Sequence, residues 1–148
     1  MAGIDEFDRK ILRSLSRDGR LTHAKLADEV GLSVSACHRR VQELERSGVI
    51  KGYRAVLDPH HLDRDFIAIM TVALGRHTKN DQENFERAMD NASQVTECYN
   101  VTGAIEYVLK VEVADLAAYK QFHTEVLGQQ PGVIGITSYI VMDTTKSP

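Results

Sequence analysis

The sequence has no long hydrophobic run, and this absence excludes a membrane-spanning helix. Its longest mainly apolar run, FIAIMTVAL, covers only residues 66–74, whereas a membrane helix needs about 20 apolar residues. The first residues, MAGIDEFDRK, contain no apolar signal-peptide core. We therefore expect a cytoplasmic protein.

The sequence also contains few cysteines and lacks the residue spacings that are typical of metal sites. The two cysteines, Cys37 and Cys98, lie far apart in the sequence, and in a reducing cytosol both are expected to be free thiols. No Cys-x-x-Cys or His-x-x-x-His spacing occurs, so we predict no metal site. Residues 65–148 show no paired acids and no nucleophile–base pair, so we predict no catalytic residues, no cofactor and no enzymatic activity.

Charge is distributed unevenly along the chain, although the net charge is only −3. Residues 1–64 contain 12 Lys and Arg against 10 Asp and Glu, whereas residues 65–148 contain 6 against 11. Residues 33–54 alone contain five cations and two acids. A local basic surface can bind a polyanion even on an acidic protein. The first half is therefore the candidate for binding a nucleic acid.

The first 47 residues have the pattern of three short helices. We predict helices over residues 5–17, 22–30 and 34–47. Their predicted N-caps are Asp5, Thr22 and Ser33. Gly31 supplies the left-handed residue that ends the second helix. A short turn containing this glycine joins the second and third helices, which is typical of a helix-turn-helix.

The third predicted helix has an apolar face and a polar face. At about 100° per residue, Cys37, Val41 and Leu44 fall together and should pack inward. The polar face suits DNA, because Arg donates to guanine or phosphate, Gln pairs with adenine, and small residues near the helix start permit close approach. The predicted DNA-binding residues are Ser33, Ser35, Ala36, His38, Arg39, Arg40, Gln42 and Arg46. Arg40 is expected to meet a phosphate or an acidic neighbour.

The rest of the chain alternates between strand and helix patterns. Residues 49–57 predict a strand or hairpin that leaves the helices, and residues 60–65 predict a hinge. Strands are then predicted over residues 66–74, 95–103, 106–113 and 133–142, with helices over 80–92 and 115–127. This β-α-β-β-α-β order is the ferredoxin-like arrangement. The predicted fold class is α+β, with one domain over residues 1–57 and another over 58–148.

Four stretches occur in order in the two halves: DEFDRKILRSLSRDGRLT, LADEVGLSVSACHRRVQELERSGVIKGY, VTGAIEYVLKV and QQPGVIGITSYIVM. Together they resemble the Lrp/AsnC family of transcription factors, named after the leucine-responsive regulatory protein and the asparagine operon regulator. The resemblance implies a winged helix-turn-helix domain, a hinge strand and a ferredoxin-like domain that dimerises through its sheet. It also implies double-stranded DNA and an amino-acid effector as partners, and dimers that often assemble into octamers.

The resemblance further implies an effector segment after the second strand of the ferredoxin-like domain. This segment usually reads Gly-Asp-x-Asp-Tyr, but here it reads Gly-Ala-Ile-Glu-Tyr, so Ala104 replaces an acid. We expect a small amino acid, more apolar than charged, to bind where dimers meet. The expected effector residues are Thr102, Gly103, Ala104, Ile105, Glu106, Tyr107 and Ser138. Backbone N–H groups around Gly103 would hold the carboxylate, and Glu106, a backbone carbonyl or Ser138 the ammonium.

Three functions stay open at the level of the sequence. The first is a transcription regulator that responds to an amino acid. The second is an octameric architectural protein that compacts DNA and has no effector, in which case the segment at Gly103 is a plain β-turn. The third is a small ferredoxin-like enzyme or ligand carrier, which the absence of catalytic patterns disfavours.

Overall fold

The computed structural model describes residues 3–146, and the chain divides into two compact units between Leu57 and Asp58. The first unit contains three helices: α1 (Glu6–Arg17), α2 (His23–Val30) and α3 (Val34–Arg46). A 3-10 turn, Pro59–Leu62, opens the second unit. No helix among residues 3–146 is long and apolar enough to cross a membrane.

The second unit contains four strands and two helices in the predicted order. The elements are β1 (Phe66–Leu74), α4 (Lys79–Asn91), β2 (Val95–Asn100), β3 (Tyr107–Val113), α5 (Leu116–Gln121) with a π-helical continuation (Phe122–Leu127), and β4 (Val133–Ile140). The sheet is antiparallel with the strand order β2-β3-β1-β4. The predicted ferredoxin-like arrangement is therefore confirmed.

The predicted helix caps are confirmed in the first unit. Asp5 and Asp8 form a reciprocal capping box, in which the Asp8 N–H donates to Asp5 Oδ1 at 2.9 Å. The hydroxyls of Thr22 and Ser33 each accept from the backbone N–H three residues on, at 3.3 Å. Gly31 ends α2 with φ 75°, a conformation that glycine adopts without steric cost.

Each unit has its own hydrophobic core. In the first unit the buried residues come from all three helices: Ile11, Leu26, Ala27, Val30, Cys37, Val41 and Leu44. Cys37 is a buried free thiol, as expected, and burial raises its pKa. In the second unit α4 and α5 pack with one face of the sheet. Alternate residues of β1 lie on the opposite face, outside this core: Ile67, Ile69, Thr71 and Ala73.

The predicted strand over residues 49–57 is wrong for the single chain. No strand of the described part of the chain pairs with this segment, and Val56 and Leu57 are 88% and 63% exposed. A strand needs a neighbour to complete its backbone hydrogen bonds. Residues 49–57 therefore form an unpaired extended segment, although their alternating pattern is typical of a strand.

Three strand boundaries also differ from the prediction. β2 ends at Asn100, and β3 begins at Tyr107, because the Val101 N–H closes the intervening turn by donating to the Glu106 carbonyl at 2.8 Å. β4 ends at Ile140 and not at Met142, because its last described pairing with β1 is the one between Ile140 and Ala68.

Candidate functional site

The turn between α2 and α3 presents α3 with its polar face outward. The Leu32 N–H donates to the Ala27 carbonyl at 2.9 Å, and Ser33 caps the first turn of α3. Cys37, Val41 and Leu44 lie in the core. Five predicted DNA-binding side chains of α3 are exposed: Ser35, His38, Arg39, Gln42 and Arg46. Ser33, at the cap, is exposed too, and Ala36 is half-buried.

Arg39 and Gln42 project from the middle of this face. Both are exposed, and neither makes a hydrogen bond or ion pair with the described residues. Their spacing of three positions places them side by side on a helix surface. The guanidinium and the amide therefore keep their donors and acceptors for a base edge or a phosphate.

Arg40 has a different environment from its neighbour. Its Nη1 lies 2.7 Å from Asp5 Oδ2 and 2.8 Å from Asp8 Oδ1, and its guanidinium lies over the Phe7 ring. Of its two expected partners, the acidic neighbour is the one observed. The Asp8 N–H and the Arg40 guanidinium both hold the pKa of Asp5 below its ordinary value. Arg40 thus joins α3 to the start of α1.

Arg46 also has an acidic partner, but a more exposed one. Its Nε and Nη2 lie 2.9 Å and 2.6 Å from the two oxygens of Glu43, one turn earlier. Exposed pairs of this kind contribute little to stability. Arg46 can therefore exchange Glu43 for a phosphate at small cost.

His23 is a candidate residue that the sequence analysis missed. It is the first residue of α2, and its ring centroid lies 4.5 Å from that of His38. Both rings are exposed. The signal in the sequence was present but indirect, because Thr22 as the N-cap places His23 at the start of a helix, where anions bind.

The predicted effector turn lies between β2 and β3. Thr102, Gly103 and Ala104 are exposed, and Ile105 is half-buried. Gly103 has φ 129°, and a Cβ atom at this position would meet nothing within 4 Å. The turn therefore needs glycine for its backbone conformation and not for space.

Glu106 does not point into solvent. Its side chain is 14% exposed. One carboxylate oxygen, Oε2, accepts from the Leu74 N–H at 2.6 Å, and the other, Oε1, lies 3.3 Å from His77 Nδ1. His77 precedes α4 and was not among the predicted site residues.

The other two expected effector residues lie on different parts of the sheet. Tyr107 is buried in the core and donates from its hydroxyl to Glu86 Oε1 at 2.8 Å. Burial, together with this hydrogen bond, raises its pKa to about 12. Ser138 accepts from the Tyr119 hydroxyl and lies on β4, which β1 separates from β3. Within one chain, Ser138 is therefore apart from the turn.

Comparison with known protein families shows which family the chain belongs to. Residues 67–148 match the profile described as the Lrp/AsnC ligand binding domain, and residues 4–51 match a winged helix-turn-helix DNA-binding profile. The chain belongs to the Lrp/AsnC family. This Lrp/AsnC protein is a DNA-binding transcription regulator with an α+β fold, and its family is one of transcription regulators.

Individual relatives support the same assignment. The leucine-responsive regulatory proteins of Escherichia coli K12 and Salmonella typhimurium are 38% identical to it over 143 residues, which is 97% of this chain and 87% of theirs. A transcriptional regulator from Neisseria meningitidis, solved in complex with L-Met, superposes with a TM-score of 0.93 at 32% identity, over 98% of this chain and 94% of that one. An AsnC family regulator from Agrobacterium tumefaciens gives 0.91 at 33% identity, over 97% and 93%.

Proposed function

We propose that this Lrp/AsnC protein binds specific DNA sequences through α3 and that a small amino acid changes its assembly or its DNA affinity. The observation that carries the proposal is the outward face of α3, where Arg39 and Gln42 are exposed without a partner among the described residues. DNA lies in the cytoplasm of the bacteria and archaea in which this family occurs, so we place its action there.

The proposed DNA contacts divide into three roles. Arg39 and Gln42 read base edges in the major groove, with Ser35, Ala36 and His38 beside them. Arg46 and the capped start of α3 at Ser33 meet phosphates. Arg40 holds α3 against α1 through Asp5 and Asp8, so its contribution to DNA binding is the placement of the reading helix.

The proposed effector is a small apolar amino acid that binds at the turn. The L-Met bound to the Neisseria regulator supports this chemistry. Backbone N–H groups around Gly103 would hold the carboxylate, and Glu106 Oε1 would accept from the ammonium. Ala104 and Ile105 would supply an apolar surface. Ser138 can join the site only from another subunit, because β1 separates it from the turn within one chain.

We further propose a homodimer that assembles into an octamer. The sheet face opposite α4 and α5 carries the apolar residues Ile67, Ile69 and Ala73, and a partner subunit would bury them. The exposed segment before the second unit, with Val56 and Leu57, offers unpaired backbone groups that a partner strand would complete.

Melting temperatures measured against the twenty amino acids test the effector directly, because a ligand that binds the folded protein raises the melting temperature. We expect an apolar amino acid to raise it. Gly103→Asp should abolish this shift and leave DNA binding intact, since α3 lies in the other unit. A Gly103→Asp protein that responds as the parent does would place the effector site elsewhere.

A further inference from the structure

Glu106 extends the pairing of β3 with β1 by means of its side chain. Tyr107 and Val72 form the last residue pair of this ladder, and the Glu106 N–H donates to the Val72 carbonyl at 3.0 Å. Two residues further along β1, the Leu74 N–H donates to Glu106 Oε2 at 2.6 Å. A carboxylate oxygen thus takes the place of a backbone carbonyl, and this bond fixes the carboxylate beside the turn.

The second carboxylate oxygen of Glu106, Oε1, faces an exposed side chain that can move away from it. Oε1 lies 3.3 Å from His77 Nδ1, in the connection between β1 and α4. Glu106 is 14% exposed, whereas His77 is 67% exposed. Exposed pairs are weak, so the imidazole can rotate into water while the carboxylate stays in place.

Among the described residues, no other cationic side chain pairs with Glu106. Lys79 pairs with Glu83 at 3.5 Å, and the Tyr107 hydroxyl bonds to Glu86. Asn100 donates its amide to the Glu106 carbonyl oxygen at 3.4 Å. Arg76, next to His77 in sequence, makes no ion pair with the described residues. His77 is therefore the cationic side chain that the structure places on Oε1.

We propose that His77 competes with the ammonium group of the amino-acid effector for Glu106 Oε1, so that effector binding displaces His77 and tightens as the pH rises. The inference rests on the proposed effector site at the turn. An imidazolium and an ammonium are both cationic donors, and one carboxylate oxygen cannot serve both in full. A protonated His77 must give up an ion pair with Glu106, whereas a neutral one gives up only an uncharged contact.

The sign of the pH dependence follows from this competition. At lower pH the effector has to displace a protonated ring, and at higher pH it displaces a neutral one. Binding is then linked to the release of a fraction of a proton, and the total rise in affinity is limited by the strength of the exposed pair, to about fivefold.

Replacement of His77 should leave the surrounding structure intact. The adjacent Thr78 caps α4 by itself, because its hydroxyl accepts from the Asp81 N–H at 3.2 Å and donates to Asp81 Oδ2 at 2.6 Å. The carboxylate keeps its bond to Leu74. His77→Gln therefore removes the titrating group without removing a cap or a core contact.

Calorimetric titration of the full-length protein with L-methionine and L-leucine tests the inference. Wild type, His77→Gln and a control, His61→Gln, are compared between about pH 5.5 and 7.5. His61 is an exposed histidine in the same unit and faces Asp58. We expect the affinity of wild type and His61→Gln to rise about three- to fivefold across this range, because the displaced ion pair is exposed and weak. His77→Gln should change less than about twofold and bind more tightly than wild type at the acidic end.

Two results overturn the inference in distinguishable ways. Binding with the same pH dependence in wild type and His77→Gln, including none in either, rejects the competition but leaves the effector site standing. If neither amino acid binds any of the three proteins at millimolar concentration at any pH, the effector part of the proposed function fails and the inference fails with it. Unchanged melting temperatures without ligand show that the variants are folded.

Discussion

Arg39 and Arg40 are adjacent and carry the same charge, but their surroundings give them different roles. Arg39 is exposed and unpaired among the described residues, whereas Arg40 is 28% exposed and bonded to Asp5 and Asp8. A one-residue step along a helix turns a side chain by about 100°. That rotation separates a side chain that can enter a groove from one that faces α1.

Replacing Arg39 with Ala should weaken binding to the preferred sequence by about 1–3 kcal/mol and relax preference at one base pair, because a base-specific donor is lost. Fluorescence anisotropy with matched and singly mismatched duplexes measures both effects. Arg87→Ala, an exposed arginine on α4, removes the same charge from the other unit and should have little effect. An Arg39→Ala protein that weakens all duplexes equally would make Arg39 a phosphate contact only.

Asp5 should contribute stability above about pH 4 that is lost in acid. Its folded-state pKa lies below the ordinary value near 3.8, so the contribution fades as the pH falls through that lower value. Asn can still cap the helix, so Asp5→Asn removes the charge and keeps the cap. We expect wild type to melt above Asp5→Asn at pH 7 and the two to converge once the pH has fallen below the lowered pKa of Asp5. A difference unchanged down to that pH would contradict this account.

At the scale of elements, local signals predicted most of the fold. Asp5, Thr22 and Ser33 cap helices where the sequence placed them, because an N-cap depends on residues only two or three positions away. The order of strands and helices in the second unit followed from their periodicity in the same way.

Contacts between distant residues were outside the reach of the sequence. The segment before the second unit has a strand pattern but lacks a neighbouring strand within the described chain. Glu106 bonds to Leu74, which lies 32 residues away, and sequence spacing does not bring these two residues together. The contact between His23 and His38 depends on how α2 packs against α3, so sequence spacing did not reveal it.

The Tyr107 hydroxyl should stabilise the contact of α4 with the sheet. It bonds to Glu86 Oε1 at 2.8 Å, and the Tyr107 ring centroid lies 4.6 Å from that of Phe85. Tyr107→Phe keeps the ring and should lower the free energy of unfolding by about 0.5–1.5 kcal/mol in urea titrations. Equal stability of Tyr107→Phe and wild type would show that the bond contributes nothing.

The pH dependence of this contribution has the opposite sign to that of Asp5. Burial and the bond to Glu86 raise the pKa of Tyr107 to about 12 from its ordinary value of 10.0. The contribution is therefore complete below pH 10 and is lost as the pH rises from there through about 12. Tyr107→Phe should abolish this alkaline loss.

At the scale of the whole molecule, the proposed assembly is built from a dimer. Ile69 lies on the sheet face outside the core formed with α4 and α5. Ile69→Lys should weaken dimerisation at least tenfold, because a charge would be buried in the proposed interface. Sedimentation at micromolar concentration measures this. Leu116→Lys, at an exposed position at the start of α5, should leave the dimer intact, and a monomeric wild type would contradict the proposed assembly.

The central claim is that the protein binds specific DNA and that an apolar amino acid changes this binding. The most direct test is the DNA affinity of wild type with and without apolar amino acids. It is measured by anisotropy on a duplex selected from a random pool. We predict saturable binding that weakens steeply with salt and that changes several-fold when an apolar amino acid is added. Binding that none of the twenty amino acids alters, together with no change in oligomer size, would favour an architectural DNA-compacting protein. Absence of DNA binding would contradict the account as a whole.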